Sequence, residues 1–407
     1  MANSREAVEA SISYLIPHNL NPIQVDDDDI EFIRKKLGTH TELVEWSKKP
    51  RLYVVLRMLQ NGCDNKEPVM DQPEWSRVDD YWLPMKKETL DELKAGVDTD
   101  SFLQKQYYIL SKATKVMHIE QLEATKHRHK VVENGDEYFT KVGELLGEGR
   151  RSNVFKVKHD VEGSEPNYYA RKLAPRGRIK DQEAMLKLFK QEWKILRRIN
   201  HHHIVNLIAS YTDKTSFALI MSPVAKESLK FILDRERDLG ADDLLVLRQS
   251  FACLTAALVY LHDNHIRHKD IKPGNILVDK GSVYLCDFGI SHDYSEQGQA
   301  TTRGERYDFT TGYAAPEVDR NDPRNETSDV WSMGRVFCEI ITVIKGRTVQ
   351  DMVRHFGGRL TEIYDKPHLV DCWLQGLLSE HRDSPDDHPI AWAWSMVRTC
   401  ATPFTKA

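Results

Sequence analysis

The chain is predicted to fold as an α+β protein, and three observations carry that reading. Apolar and polar residues begin to alternate at Phe139, and strand patterns recur at 206–211 and 217–221. A sustained helical stripe follows from Leu244 to His262, with apolar residues at 247, 251, 254, 258 and 261. Ahead of both, residues 1 to about 137 carry only short helical patterns. Strand-rich and helix-rich stretches that succeed one another fit an α+β architecture.

At 407 residues the chain has room for two or three domains, or for one large domain with an extension. A net charge of −5 gives no electrostatic reason to expect a nucleic-acid partner. Six cysteines without a CxxC pair signal neither a zinc site nor a disulfide framework. No basic segment followed by an apolar core opens the chain, and no apolar run approaches the ~20 residues of a membrane span. The expectation is a reduced, intracellular protein, cytoplasmic or nuclear, with no membrane or nucleic-acid partner. Its oligomeric state is not encoded in these features.

In the N-terminal region, Asp26–Asp29 predict a capped helix through Ile30, Ile33 and Leu37, because carboxylates favour a helix N-terminus. Leu52 to Leu59 reads as a buried helix or strand. Trp75, Tyr81, Trp82, Leu83 and Pro84 form a cluster expected to pack, and Asp100 to Ala113 again has helical spacing. His118 to Lys130 reads as a charged linker or solvent-facing helix. Its His127 and His129 have no acidic or cysteine partner at ligand spacing, so a solvated role is expected over a metal site.

The densest chemistry lies in IRHKDIKPGNILV, residues 266–278. Asp270 stands two residues before Lys272 and five before Asn275. Phosphoryl transfer needs such a trio: a carboxylate to accept a hydroxyl proton, a cation on the moving phosphate and an amide oxygen on Mg²⁺. After a turn at Asp279-Lys280-Gly281 come Asp287-Phe288-Gly289 and, further on, Ala315-Pro316-Glu317. The bland alternative, a buried polar loop with a turn aspartate, does not account for three ordered motifs. His381-Arg382-Asp383 spells a similar triplet, but position 388 is His and the stretch reads as a loop.

This series resembles the signature set of eukaryotic protein kinases, with Lys269 in place of the usual arginine. The resemblance covers about 138–407. It implies a bilobal fold, a five-stranded antiparallel N-lobe over 138–221 and a helical C-lobe over 225–407, preceded by a mostly helical extension over 1–137. The extension is loosely similar to the leaders of some fungal protein kinases. The implied reaction is transfer of the ATP γ-phosphoryl group, with Mg²⁺, to a hydroxyl of a protein substrate.

Carried onto this chain, the resemblance implies Asp270 as base, Lys272 on the moving phosphate, and Asn275 and Asp287 on the metal. Leu146, Gly147, Gly149, Ser152 and Val154 correspond to the glycine-rich loop, with Ser152 where the family has a third glycine. Tyr169-Ala170-Arg171-Lys172 resembles the family's ATP-lysine strand. Lys172 in isolation would be an ordinary solvent-facing residue. Ala170, Met221, Ser222, Val224 and Leu277 match positions around adenine, with Met221 the gatekeeper, and Ser228 matches a residue near the ribose. The expected partner of Lys172 is Glu192. It shares a helix face with Leu188, Leu196 and Ile199, where an unpaired carboxylate would be costly, and Leu196 leaves no i,i+4 lysine to pair it.

His201-His202-His203 fits the family's His-x-x-Ile-Val turn better than a metal tract. Asp329 matches the aspartate that anchors the catalytic-loop backbone, a role compatible with an N-cap. Thr310 matches the threonine that bonds the catalytic Asp and Lys in serine/threonine kinases. Arg306 stands at the usual phosphosite, with Thr301, Thr302 or Glu305 as substitutes. Thr402-Pro403 offers no arginine to pair Glu317. Cys286 would face the ATP pocket. The rivals are a pseudokinase acting as an ATP-binding scaffold through its extension, and a small-molecule kinase. The latter would lack Ala-Pro-Glu and the Asp329 helix.

Overall fold

The helix Asp27–Leu37 starts where the sequence places its cap. Asp26 accepts the N–H groups of Asp28 at 2.9 Å and Asp29 at 2.8 Å, and Asp29 accepts the N–H of Asp26 in return. Acids fill its first turn and Arg34, Lys35 and Lys36 its last, both favourable to the helix dipole. The Leu52–Leu59 run resolves as a helix, Pro50–Gln60, with Pro50 opening it and nearly every residue buried. Asp80 closes its N-terminus, accepting from Arg51 N at 3.0 Å and Leu52 N at 2.9 Å. Burial pushes the Asp80 carboxyl up to about 6 against those bonds. Trp75 and Trp82 are buried, as the aromatic cluster predicts.

In this computed structural model of the chain the described residues are 4–16, 24–60, 69–111, 129–149, 151–160, 165–177, 179–235, 239–295, 312–320, 325–359, 361 and 368–380. They fall into two compact units, 1–189 with 207–221, and 190–206 with 222–407. The tail motifs at 381–383 and 402–406, and His127, lie outside the described residues.

The sheet of the first unit has six strands: β1 (Lys130–Val131), β2 (Thr140–Glu148), β3 (Asn153–His159), β4 (Asn167–Pro175), β5 (Asn206–Thr212) and β6 (Ser216–Ser222), in the order β1-β5-β6-β4-β3-β2. β1 is one strand more than the five expected, and it runs parallel to β5 through Lys130↔Tyr211 and Val131↔Thr212. Lys130, the last residue of the stretch expected to be a charged linker, therefore extends the sheet. His129 is not solvated: it stacks on Tyr81 at 4.4 Å and bonds Ser210 Oγ at 3.0 Å and Thr212 Oγ1 at 2.7 Å.

Described residues ahead of β1 are tied to this sheet. Ser111 donates its N–H to Val131 O at 2.7 Å and accepts the Tyr138 hydroxyl at 2.8 Å. Arg176, at the end of β4, donates to the carbonyls of Trp82, Pro84 and Asp213. Glu92 accepts the N–H of Ile179 at 3.3 Å, at the start of the helix Ile179–Leu196. One sheet face buries Val157, Tyr169, Ala218 and Ile220 with Val132, Phe139 and Tyr211. Arg171 joins them, donating to Phe139 O and the Tyr211 hydroxyl.

In the second unit, the helix Ala241–Asp263 buries Leu247, Phe251, Leu254, Leu258 and Leu261, and Phe251 meets Phe337 at 4.8 Å. By length and composition alone this is the one described helix that could cross a membrane, yet the stripe is core packing. Three short strands, β7 (Glu227–Ser228), β9 (Ile276–Asp279) and β10 (Ser282–Leu285), form a second sheet. Lys280 and Gly281, both at positive φ, make the two-residue turn between β9 and β10. A ribbon of β8 (Ile266–Arg267) and β11 (His292–Asp293) packs against the helix Ala241–Asp263, and the helix Thr327–Ile344 has most of its side chains buried.

Candidate active site

Asp329 organises the catalytic loop. The carboxylate is 1% exposed and accepts the backbone N–H of His268 at 2.7 Å and of Lys269 at 2.8 Å. His262 Nε2 lies 3.3 Å away. Burial works to raise the Asp329 carboxyl, but the hydrogen bonds and the histidines beside it hold it below its usual value. His268 is held at both ring nitrogens, donating from Nε2 to Cys286 O at 3.0 Å and accepting the Asp270 N–H at Nδ1. Its carbonyl accepts the Ser291 hydroxyl at 2.9 Å, and its ring meets the buried Phe288 edge-on. Lys269 takes a φ of +70°, an uncommon conformation that its anchored neighbours over-determine.

The loop then brings together the three residues singled out in the sequence. Lys272 Nζ lies 2.7 Å from Asp270 Oδ2, with both side chains partly exposed. Asn275 Nδ2 donates at 2.8 Å to both the carbonyl and the Oδ2 of Asp270. With both amide hydrogens spent on Asp270, Asn275 presents Oδ1 as its remaining polar atom, an oxygen donor of the kind Mg²⁺ takes. Opposite pairing of Ile276 with Leu285, and the bond from Cys286 N to Asn275 O at 2.9 Å, carry Asp287 alongside that amide. Asp287 is exposed at φ +66°, while Phe288 next to it is fully buried. Asn275 and Asp287 could each offer a hard cation an oxygen ligand. Leu277, one residue into β9, pairs with Ser228 of β7.

The residues expected around the nucleotide in the first unit share one sheet face. Val154 stands opposite Lys172, Lys172 opposite Leu219, and Ala170 opposite Met221. Directly paired residues project to the same side, so Val154, Lys172, Ala170 and Met221 line a single face. Gly147 pairs with Val154, and Gly149 N–H closes the β2–β3 turn on Ser152 O at 2.8 Å. A Cβ on Gly149 would meet Ser152 O at 3.0 Å, whereas one on Gly147 would meet nothing within 4 Å. Leu146 is 43% exposed at the edge of this loop. Ser222 ends β6, with Val224 half-buried just beyond it in the second unit. Glu192 is 5% exposed on the helix Ile179–Leu196.

Thr310, together with Thr301, Thr302, Glu305 and Arg306, lies outside the described residues. Sequence reasoning missed His262 and Ser291, which hold Asp329 and His268. Neither belongs to a motif, and the separation of 67 positions between His262 and Asp329 hides the pairing. Cys286 is half-buried, and its backbone, through N and O, ties the strand to the loop.

A carboxylate held between a lysine and an asparagine, on a backbone pinned by a buried aspartate, is an arrangement that phosphoryl transfer can use. The chain belongs to the protein kinase domain family, which matches residues 140–355, just over half of its length. It is 31% identical over 246 residues to serine/threonine-protein kinase TIO of Arabidopsis thaliana, covering 59% of this chain and 18% of that protein. It is 30% identical over 208 residues to CBL-interacting serine/threonine-protein kinase 16 of the same plant, 49% of this chain and 43% of that one. Against calcium/calmodulin-dependent protein kinase type 1 of Caenorhabditis briggsae it is 31% identical over 196 residues, 47% and 51% of the two chains. The matches thus span about half or less of each of these relatives.

Proposed function

We propose that the protein is an intracellular serine/threonine protein kinase that transfers the γ-phosphoryl group of ATP to Ser and Thr hydroxyls of protein substrates. The observation that carries this reading is the Asp270–Lys272–Asn275 cluster, closed by hydrogen bonds of 2.7 and 2.8 Å. Asp270 Oδ2 receives the hydroxyl proton of the acceptor as its oxygen attacks phosphorus. Asn275 Nδ2 and Lys272 Nζ hold that carboxylate in place. Lys272 stands close enough to exchange its contact with Asp270 for the transferring phosphate. When bound, Mg²⁺ neutralises charge on the β- and γ-phosphates, and the oxygens of Asn275 and Asp287 are the groups that would hold it.

Lys172 takes the α- and β-phosphates, with Glu192 as the carboxylate that positions it. The low exposure of Glu192 supports this role, since a charge so buried requires a partner. Gly147 and Gly149 let backbone N–H groups approach the phosphates. Leu146, Val154, Ala170, Met221 and Leu277 supply apolar contact to adenine, and Ser222 and Val224 its backbone hydrogen bonds. Ser152 and Thr310 complete the assignment, at the phosphate loop and beside Asp270 respectively. Residues 1–137 are the N-terminal extension, and 138–407 the catalytic domain.

The test is incubation of the purified chain with radiolabelled ATP, Mg²⁺ and myelin basic protein, followed by phosphoamino-acid analysis. Label on serine and threonine supports the reading. Label confined to tyrosine, or to a small-molecule acceptor, contradicts it.

A further inference from the structure

A cleft of about 250 Å³ lies within the first unit, beside the end of β4. Lys86, Glu88 and Glu92 of the N-terminal extension line one side, and Arg176, Gln182 and Lys214 line the other. Arg176 and Gln182 are its more buried donors, with the Asp213 carboxylate also near Arg176. Arg176 is half-buried, and its acceptors are the neutral carbonyls of Trp82, Pro84 and Asp213. Removal from water pushes its guanidinium down to about 10. Beside it the Gln182 side chain is 1% exposed, and its Nε2 meets no acceptor among the described residues. A buried donor left unmade is costly, so an amide lining a cleft in this way can receive an acceptor that enters it.

The acids sit differently. Glu88 and Glu92 are exposed at the rim, and Glu92 is engaged with the N–H of Ile179. Lys86 is exposed beside them, and Lys214 is half-buried with Glu133 at 3.6 Å. Donors under an acidic rim admit one compact negative group, and the rim repels polyanions.

The geometry points to a binding site for a compact oxyanion, a phosphate or carboxylate, received by Arg176, the Gln182 amide, Lys86 and Lys214. An occupant bridges residues 86–92 of the extension and the first turns of the helix Ile179–Leu196. Its presence therefore ties the extension to the helix that carries Glu192.

The experiment uses the full chain and compares sodium phosphate, sodium acetate and sodium chloride at matched ionic strength. Melting temperature and hydrogen exchange are the readouts. Phosphate or acetate at saturation is expected to raise the melting temperature by about 3 °C or more above chloride. Amides of 86–92 and 179–189 gain protection. A response to phosphate alone assigns a phosphate ligand, and one to acetate alone a carboxylate. Gln182→Leu removes an orphaned donor and is expected to fold at least as stably. It should weaken the anion response at least tenfold in concentration, as should Lys86→Ser to a lesser degree. Arg176→Met, which also strips three backbone contacts, serves only as a secondary check. Equal shifts in chloride, or an undiminished response in Gln182→Leu, as binding at the nucleotide loop would give, overturn the proposal.

Discussion

The Asp329 carboxylate and the backbone N–H of His268 lie 2.7 Å apart, although 60 residues separate them in the chain. With the second bond to Lys269, this is the fastening that sets Asp270 in place. Asp329→Asn leaves one oxygen where two accepted backbone donors. The expected result is a loss of about 2–3 kcal/mol of stability and a fall in kcat of tenfold or more. Denaturant unfolding and steady-state kinetics measure both.

The same carboxyl predicts a pH dependence. Its folded value lies below the ordinary one, so its stabilisation is complete above the unfolded value of about 3.9 and disappears as pH falls below that. Acid titration of wild type and Asp329→Asn should therefore converge below about pH 4. A difference that stays constant to low pH would contradict this origin.

Glu339 carries the opposite sign. It is buried beside Arg335 and accepts the Tyr313 hydroxyl at 3.2 Å, and burial pushes its carboxyl up to about 7. A raised carboxyl favours folding below its unfolded value, and that contribution is lost as pH rises through about 7. Glu339→Gln keeps an acceptor for Tyr313 without the charge. It should gain on wild type as pH rises from about 4.3 to 7, and hold that gain above. Melting curves across pH 4–9 provide the comparison.

Two glycines of the β2–β3 turn separate fold from ligand. Gly149→Ala brings a Cβ against Ser152 O and should cost about 1 kcal/mol or more of stability. Gly147→Ala meets open space and should leave the melting temperature unchanged. A rise in KM for ATP in Gly147→Ala then reports crowding of the phosphates alone.

Removing residues 1–137 strips β1 from β5, and Trp82 and Pro84 from Arg176. A fragment 138–407 is expected to be insoluble or to melt well below the full chain, which differential scanning fluorimetry decides.

Local chemistry was legible and long-range pairing was not. Asp270, Lys272 and Asn275 fall within six residues of one loop, so their spacing alone placed them together, and the α+β class came with the family resemblance that the motifs carry. The cap at Asp26 was equally readable, because an N-cap acts two or three residues along the chain. β1 was not: a two-residue strand is too short to show alternation, and Lys130 ends a charged run. His129 looked solvated because Tyr81, the ring it stacks on, lies 48 residues earlier. Its hydroxyl partners are over 80 residues later. His262 and Ser291 act on the site through single tertiary bonds that no pattern announces.

The central claim is that Asp270 is the base of a phosphoryl transfer, and one comparison tests it most directly. Single-turnover phosphorylation of myelin basic protein is measured for wild type and Asp270→Asn, with ATP binding followed in parallel. The account predicts a rate about 10²–10⁴-fold lower in Asp270→Asn with ATP affinity kept. Equal rates in the two proteins, or an inactive wild type that still binds ATP, would contradict it, and the latter would make the chain an ATP-binding scaffold.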